Sequence, residues 1–181
     1  MSREARQNYL PANAMAPGTG ITGATGEVVK WTVVKDPQSK VVYTRGLIDV
    51  TGIASVATDN DIMAFGTTLP GYLAQITAAL NGTIFAGRMS LLETPATGEV
   101  DIDLWAADEA TGKGSDLITG LTGEVAVFTA AGDWGTVVSV NMTAPPGPNQ
   151  YLYLTTGTAS TPTAGTYTAG IFLVEFWGTA A

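Results

Sequence analysis

The sequence predicts an all-β fold, a β-sandwich and within that class a jelly roll, preceded by an extended N-terminal arm. Three observations lead there. Eight or more short runs rich in β-branched and aromatic residues recur along the chain, at a spacing of roughly 8–15 residues, the rhythm of strands in a two-sheet fold. Turn-forming Gly, Pro, Asn and Asp separate them, and no long stretch sustains the 3.6-residue period of an amphipathic helix.

Taken in order, residues 1–26 read as the arm and residues 27–181 as the sandwich domain. Pro11 and Pro17 punctuate the arm, and Gly18, Gly20, Gly23 and Gly26 make it too glycine-rich for a regular element. A short helix near Glu4 to Leu10, capped by Ser2, would be marginal by its length. The first strand spans 27–35, with Val29, Trp31 and Val33 on one face and Lys30 and Thr32 on the other. Runs at 41–50 and 53–58 follow. Asn81-Gly82 tolerates the positive φ angles of a two-residue hairpin turn and predicts a hairpin of 72–80 with 83–92. A helix over 70–80 stopped by Gly82 competes with it, on the strength of Ala74, Ala78 and Ala79. Strand 100–105 alternates Val100, Ile102 and Leu104 with Asp101 and Asp103, which places the two acids outward. Further runs lie at 117–118, 124–129, 136–142, 150–156 and 167–177.

Two of these runs are apolar on both faces. Ile171 and Leu173 share one parity, and Phe172, Val174 and Phe176 the other; Tyr151-Leu152-Tyr153-Leu154 repeats the doubling. A sandwich strand has one face in the core, so a second copy of the chain is the expected cover for the other. The expected oligomer interface is Tyr151, Tyr153, Ile171, Leu173 and Trp177, in a trimer.

Composition narrows function. The 181 residues include no His and no Cys, which removes disulfides, thiol nucleophiles, His-based general bases and nearly every zinc, haem or iron–sulfur site. Eight Lys and Arg against sixteen Asp and Glu leave a net charge of −8, the wrong sign for a polyanion binder, so nucleic acid is not an expected partner. No apolar run reaches the ~18 residues that cross a bilayer, and no apolar segment follows the charged N-terminus as in a secretory signal. Membrane and cofactor are likewise not expected. Charged residues are only 13% of the chain, whereas Thr, Ala and Gly make up 27, 25 and 22 positions. That composition suits a Thr-covered sheet surface or one buried against other subunits. Arg3 and Arg6 put a basic tip on an acidic body.

The motifs that could carry chemistry have plainer readings. Gly18-Thr19-Gly20-Ile21-Thr22-Gly23 fits G-x-G-x-x-G, but a Pro-containing arm precedes it and a strand follows, so it reads as a flexible linker. Asp59-Asn60-Asp61, Asp108, Glu109 and Asp116 lack the spacing of a calcium loop. Asp101 and Asp103, about 7 Å apart by the strand rise, read as a solvated polar face. A glycosidase pair would need one acid pushed into an apolar pocket, which nothing here suggests. Trp105 and Trp134, with Asp101 and Asp103, form the alternative: aromatics that stack on a sugar ring beside acids that take its hydroxyls.

Two stretches, residues 33–47 (Val33-Val34-Lys35-Asp36-Pro37 through Tyr43-Thr44-Arg45-Gly46-Leu47) and residues 165–178 (Gly165-Thr166-Tyr167 through Phe176-Trp177-Gly178), resemble small virion structural proteins of marine tailed bacteriophages. The Thr/Gly-rich turn feeding an apolar terminal strand is similar to phage decoration, or cement, proteins and fibre-head domains. The resemblance implies a non-enzymatic β-sandwich trimer on the outer capsid surface of a virion, held to the major capsid protein by its arm. Arg3, Arg6, Tyr9 and Leu10 are the expected capsid contacts. The competing expectation is a carbohydrate- or receptor-binding module of a fibre or surface protein.

Overall fold

The structure, a computed structural model, describes residues 8–10, 15–23, 26–36 and 38–180. Its strands are β1 (Asn8–Leu10), β2 (Thr22–Gly23), β3 (Gly26–Glu27), β4 (Val29–Lys35), β5 (Val41–Asp49), β6 (Ala54–Ser55) and β7 (Ala74–Gln75). A single helical turn, α1 (Ala78–Asn81), precedes β8 (Thr83–Ala96), β9 (Ile102–Ala107), β10 (Val125–Phe128), β11 (Ser139–Asn141), β12 (Tyr151–Thr156), β13 (Gly165–Thr166) and β14 (Ala169–Thr179). The chain is all-β, as its patterning predicts.

Two antiparallel sheets hold the core between them. The six-stranded sheet runs β1-β4-β5-β14-β8-β11 and the four-stranded sheet β10-β9-β12-β7. Alternation explains the burial: Val29, Trp31 and Val33 of β4, Val42 and Ile48 of β5, and Phe172, Val174 and Phe176 of β14 all point inward and are buried. From the facing sheet Ile102, Leu104, Ala106, Leu152 and Leu154 meet them in one cluster. Contacts across the gap are specific. Phe128 lies against Phe176 with ring centroids 5.5 Å apart, and the Trp31 ring nitrogen donates to the Leu73 carbonyl at 3.2 Å.

Several sequence expectations are corrected here. The 72–92 hairpin does not form: β7 pairs with β12, and Asn81-Gly82 closes the helical turn instead. The turn wins because its side chains satisfy its own ends. Thr77 caps the Leu80 amide at 3.2 Å, and the Asn81 side chain accepts from the Thr77 amide at 2.9 Å. Gly82 then leaves at φ +68, as a helix-terminating glycine can. The expected strand at 117–118 falls in a 3-10 turn, Ile118–Gly120, and 53–58 contributes only the two residues of β6.

The arm is shorter than composition suggests. Residues 15–22 are built into the body, with Met15 and Ile21 buried in the core cluster. The glycines expected to give a flexible linker serve close packing. The Gly18 and Gly20 amides donate to the carbonyls of Tyr72 and Pro70 at 2.8 and 2.7 Å, and a Cβ on Gly20 would collide with the backbone at Leu69 and Pro70. Upstream, β1 pairs with β4, setting Tyr9 opposite Val34 and Leu10 opposite Val33. Arg3 and Arg6 lie outside the described residues.

Candidate functional site

The two sheets differ in what covers their outer faces. On the four-stranded sheet, the outward parity carries Trp105 and Ala107 of β9 and Tyr151 and Tyr153 of β12. The chain covers them itself. Ile62, Ile118 and Leu121 pack over Tyr153 and Ala107 to form a second, smaller core. Tyr153 is fully buried, donates its hydroxyl to the Glu109 carbonyl at 2.6 Å, and meets Tyr72 edge-on at 6.4 Å. Burial holds its hydroxyl well above the ordinary tyrosine range. Tyr153 is therefore an internal residue and leaves the expected oligomer interface. Tyr151 stays half-buried beside Tyr72, with centroids 4.9 Å apart.

The six-stranded sheet has no such cover among the described residues. Tyr43 and Leu47 of β5 and Ile171, Leu173 and Trp177 of β14 are half-buried and belong to neither core cluster. The register sets them in rows across the sheet: Val34, Tyr43, Trp177 and Ala86 in one, Leu47, Leu173 and Ser90 in another. Between these rows runs a polar one, Thr32, Arg45, Glu175, Arg88 and Asn141. Glu175 is the organising group. Its carboxylate accepts from the Tyr43 hydroxyl and from the Arg88 guanidinium at 2.7 Å, the one ion pair among the described residues. Burial alone would raise the Glu175 carboxyl, but those two donors outweigh it and hold it below the usual range. Tyr43 moves the other way: its own burial, then the Glu175 carboxylate, push its hydroxyl up to about 12. Its ring lies 5.7 Å from that of Trp177. Phe85 and Leu92, also on β8, are more than half exposed. The arrangement sets apolar and aromatic side chains on either side of a polar row in which two arginines flank one glutamate.

The residues proposed for sugar stacking do not form an accessible site. Trp134 is 2% exposed; its ring nitrogen donates to the Ile102 carbonyl at 2.7 Å and its ring stands edge-on against Phe172. Trp105 packs against the Tyr153 core with its ring nitrogen buried and unpartnered. Asp101 and Asp103, expected to be solvated, are 0% and 3% exposed. Their parity is as predicted, away from Ile102 and Leu104, but loops 129–134 and 157–163 fold over them. Asp101 accepts from the amides of Ala159 and Ser160 at 2.6 and 3.2 Å, and Asp103 from Ala130 at 2.8 Å. Sequence reasoning also passed over Glu99. It is 2% exposed and accepts from the Asp101 amide, the Ser160 hydroxyl and the Thr163 amide. Its parity with Asp101 and Asp103 was the available signal.

Among the described residues no three acids stand together in a way that could hold a metal ion, and no helix is long and apolar enough to cross a membrane. An open cavity of about 380 Å³ lies between Thr19, Thr22, Phe65, Thr68 and Leu69, without a charged side chain in its lining. No family model matches the chain, and neither a curated protein nor a solved structure matches it.

Proposed function

We propose that the chain is a non-enzymatic virion structural protein, a capsid decoration protein that binds the outer capsid surface as a homo-oligomer, a trimer, and stabilises the shell. The observation that carries the reading is the outer face of the six-stranded sheet. Tyr43, Leu47, Ile171, Leu173 and Trp177 sit there half-buried with no second layer over them among the described residues. Apolar and aromatic rows on either side of a hydrogen-bonded polar row suit a surface that meets protein.

Two further features support it. The strand order β5-β14-β8-β11 facing β10-β9-β12-β7, with the chain passing between the sheets at most steps, supports a jelly-roll reading, an architecture used by viral capsid proteins. β1 and β4 extend one edge of it, carrying the N-terminal segment to the rim. There Arg3, Arg6, Tyr9 and Leu10 would engage the major capsid protein, and several arms on one oligomer would bind with avidity.

Binding to undecorated capsids tests the reading, using the full chain, Leu173→Asp, and a variant with Arg3→Glu and Arg6→Glu. The full chain should saturate the capsid surface. Leu173→Asp should lose assembly and binding, and the arm variant binding alone. Equal occupancy by all three proteins would refute it.

A further inference from the structure

Three carboxylates at alternate positions, Glu99, Asp101 and Asp103, are each at least 97% buried, since they are 2%, 0% and 3% exposed. Burying ionised carboxylates is costly unless a cation or a full set of donors compensates. Glu99 has its donors: the Asp101 amide, the Ser160 hydroxyl and the Thr163 amide. Asp101 is half-served. One oxygen takes two amides, while the other, Oδ1, is buried with no partner and backs onto Gly157. Asp103 has one amide, from Ala130, and faces Thr155 across the strand pair, whose hydroxyl is itself buried and unpartnered.

No basic side chain faces this cluster from any packed element among the described residues. Loop 129–134 brings Asp133, which adds negative charge near Asp101. Loop 157–163 brings Ser160 and Thr163, and the neighbouring segment brings Tyr167, whose hydroxyl donates to the Glu99 carbonyl at 2.5 Å. Asp61, another buried acid, is coupled to Asp116 rather than to these groups. The charge therefore lacks a neutralising partner, and water can reach it only if the loops lift.

We infer that Asp101 and Asp103 form a proton-sensitive clamp on loops 129–134 and 157–163, which close most firmly when the pair takes up protons and open as it ionises. Burial, the largest cause, pushes the Asp103 carboxyl up to about 7 and raises Asp101 in the same direction. The sign follows from linkage. An acid whose folded-state affinity for protons exceeds its unfolded one opposes folding increasingly as pH rises from its unfolded value of 3.8 to about 7. The same holds for opening of the loops, because opening returns the carboxylate to water. The exposed acids with lowered values, Asp36 and Glu109, act only at lower pH and in the opposite sense.

The test is amide hydrogen exchange of the full chain, corrected for intrinsic rates, at Ala130, Ala159, Ser160 and Thr163. Between about pH 5 and pH 8 their protection should fall at least about tenfold, while the Val174 amide in the core changes less. Asp103→Asn keeps an acceptor for the Ala130 amide, removes the charge, and should flatten the dependence. Protection that stays constant over this range in the parent chain overturns the clamp. So does protection restored at pH 8 by millimolar calcium, which would assign the charge to a metal. Should Asp103→Asn fail to fold, a carbon-13 carboxyl titration of the parent chain decides. A midpoint near 7 for Asp103 supports the inference; one near 4 overturns it.

Discussion

β12 and β14 pose the same problem and the molecule answers it twice, differently. Each strand is apolar on both faces, with Leu152 and Leu154 of β12, and Phe172, Val174 and Phe176 of β14, turned into the shared core. Behind β12 the chain supplies its own second layer, Ile62, Ile118 and Leu121, and Tyr153 becomes a core residue with its hydroxyl bonded inside. Behind β14 there is a fixed polar row flanked by half-buried Leu173, Ile171 and Trp177, and neither core cluster reaches it. A doubly apolar strand thus shows that its second face calls for a cover. It does not show whether that cover is a loop or another molecule.

Substitutions at alternate positions should expose the difference, and the largest effects belong to the covered faces. Phe172→Ala removes a fully buried ring, and should destabilise the fold by about 3–5 kcal/mol in denaturant titration. Tyr153→Ala should cost about as much, because it empties the second core and strands the Glu109 carbonyl. A loss below about 1 kcal/mol at Tyr153, the range of ordinary surface changes, would mean that its face is not an internal core.

Next comes Leu173→Asp, one residue along from Phe172 but on the half-buried side. Its unfolding free energy should change by no more than about 1 kcal/mol, as surface replacements do, while self-association weakens by at least tenfold in a dilution series. A loss as large as that of Phe172→Ala would put Leu173 in the core and erase the contrast.

The polar row sharpens the comparison through titration. In Glu175→Gln the Tyr43 hydroxyl should fall from about 12 toward the ordinary 10 but stop short of it, since burial is the larger cause. Ultraviolet titration of the phenol reads this directly. An unchanged value would mean that Glu175 does not hold Tyr43. The smallest effect is expected from Arg88→Met. The Arg88 side chain is 49% exposed, so the pair contributes under about 1 kcal/mol and fades with salt. Because Glu175 sits below its ordinary value, that contribution is present at neutral pH and is lost on acidification through its folded-state titration. Stability in Arg88→Met that depends on acid as strongly as in the parent would contradict the assignment.

How much of this was legible in the sequence depends on range. β4, β5, β12 and β14 were legible because β-branched and aromatic residues alternate along them, a local signal that burial in the shared core reinforces. The 72–92 region was not. Asn81-Gly82 has the same local chemistry in a hairpin and at a helix end, and beside the Thr77 and Asn81 caps the helical turn has a long-range partner that patterning does not display: Asn81 donates to the Thr44 hydroxyl at 3.0 Å, 37 residues away. Asp101 and Asp103 were read on the correct parity and with the wrong exposure. The loops that cover them come from 27 to 59 residues downstream and bind through backbone amides, which leave no mark in side-chain patterning. Tyr153 was misassigned for the same reason, since its cover lies in segments near Ile62 and Ile118. Ile171, Leu173 and Trp177 lie half-buried on the parity opposite Phe172, Val174 and Phe176, on a face that the described residues leave half open.

Sedimentation equilibrium at micromolar concentration, on the full chain beside Leu173→Asp, tests the central claim most directly. The parent should sediment as a homo-oligomer and the variant as a folded monomer with the parent's circular dichroism. A parent chain that sediments as a monomer across that range would contradict the claim that the outer face of the six-stranded sheet is an interface.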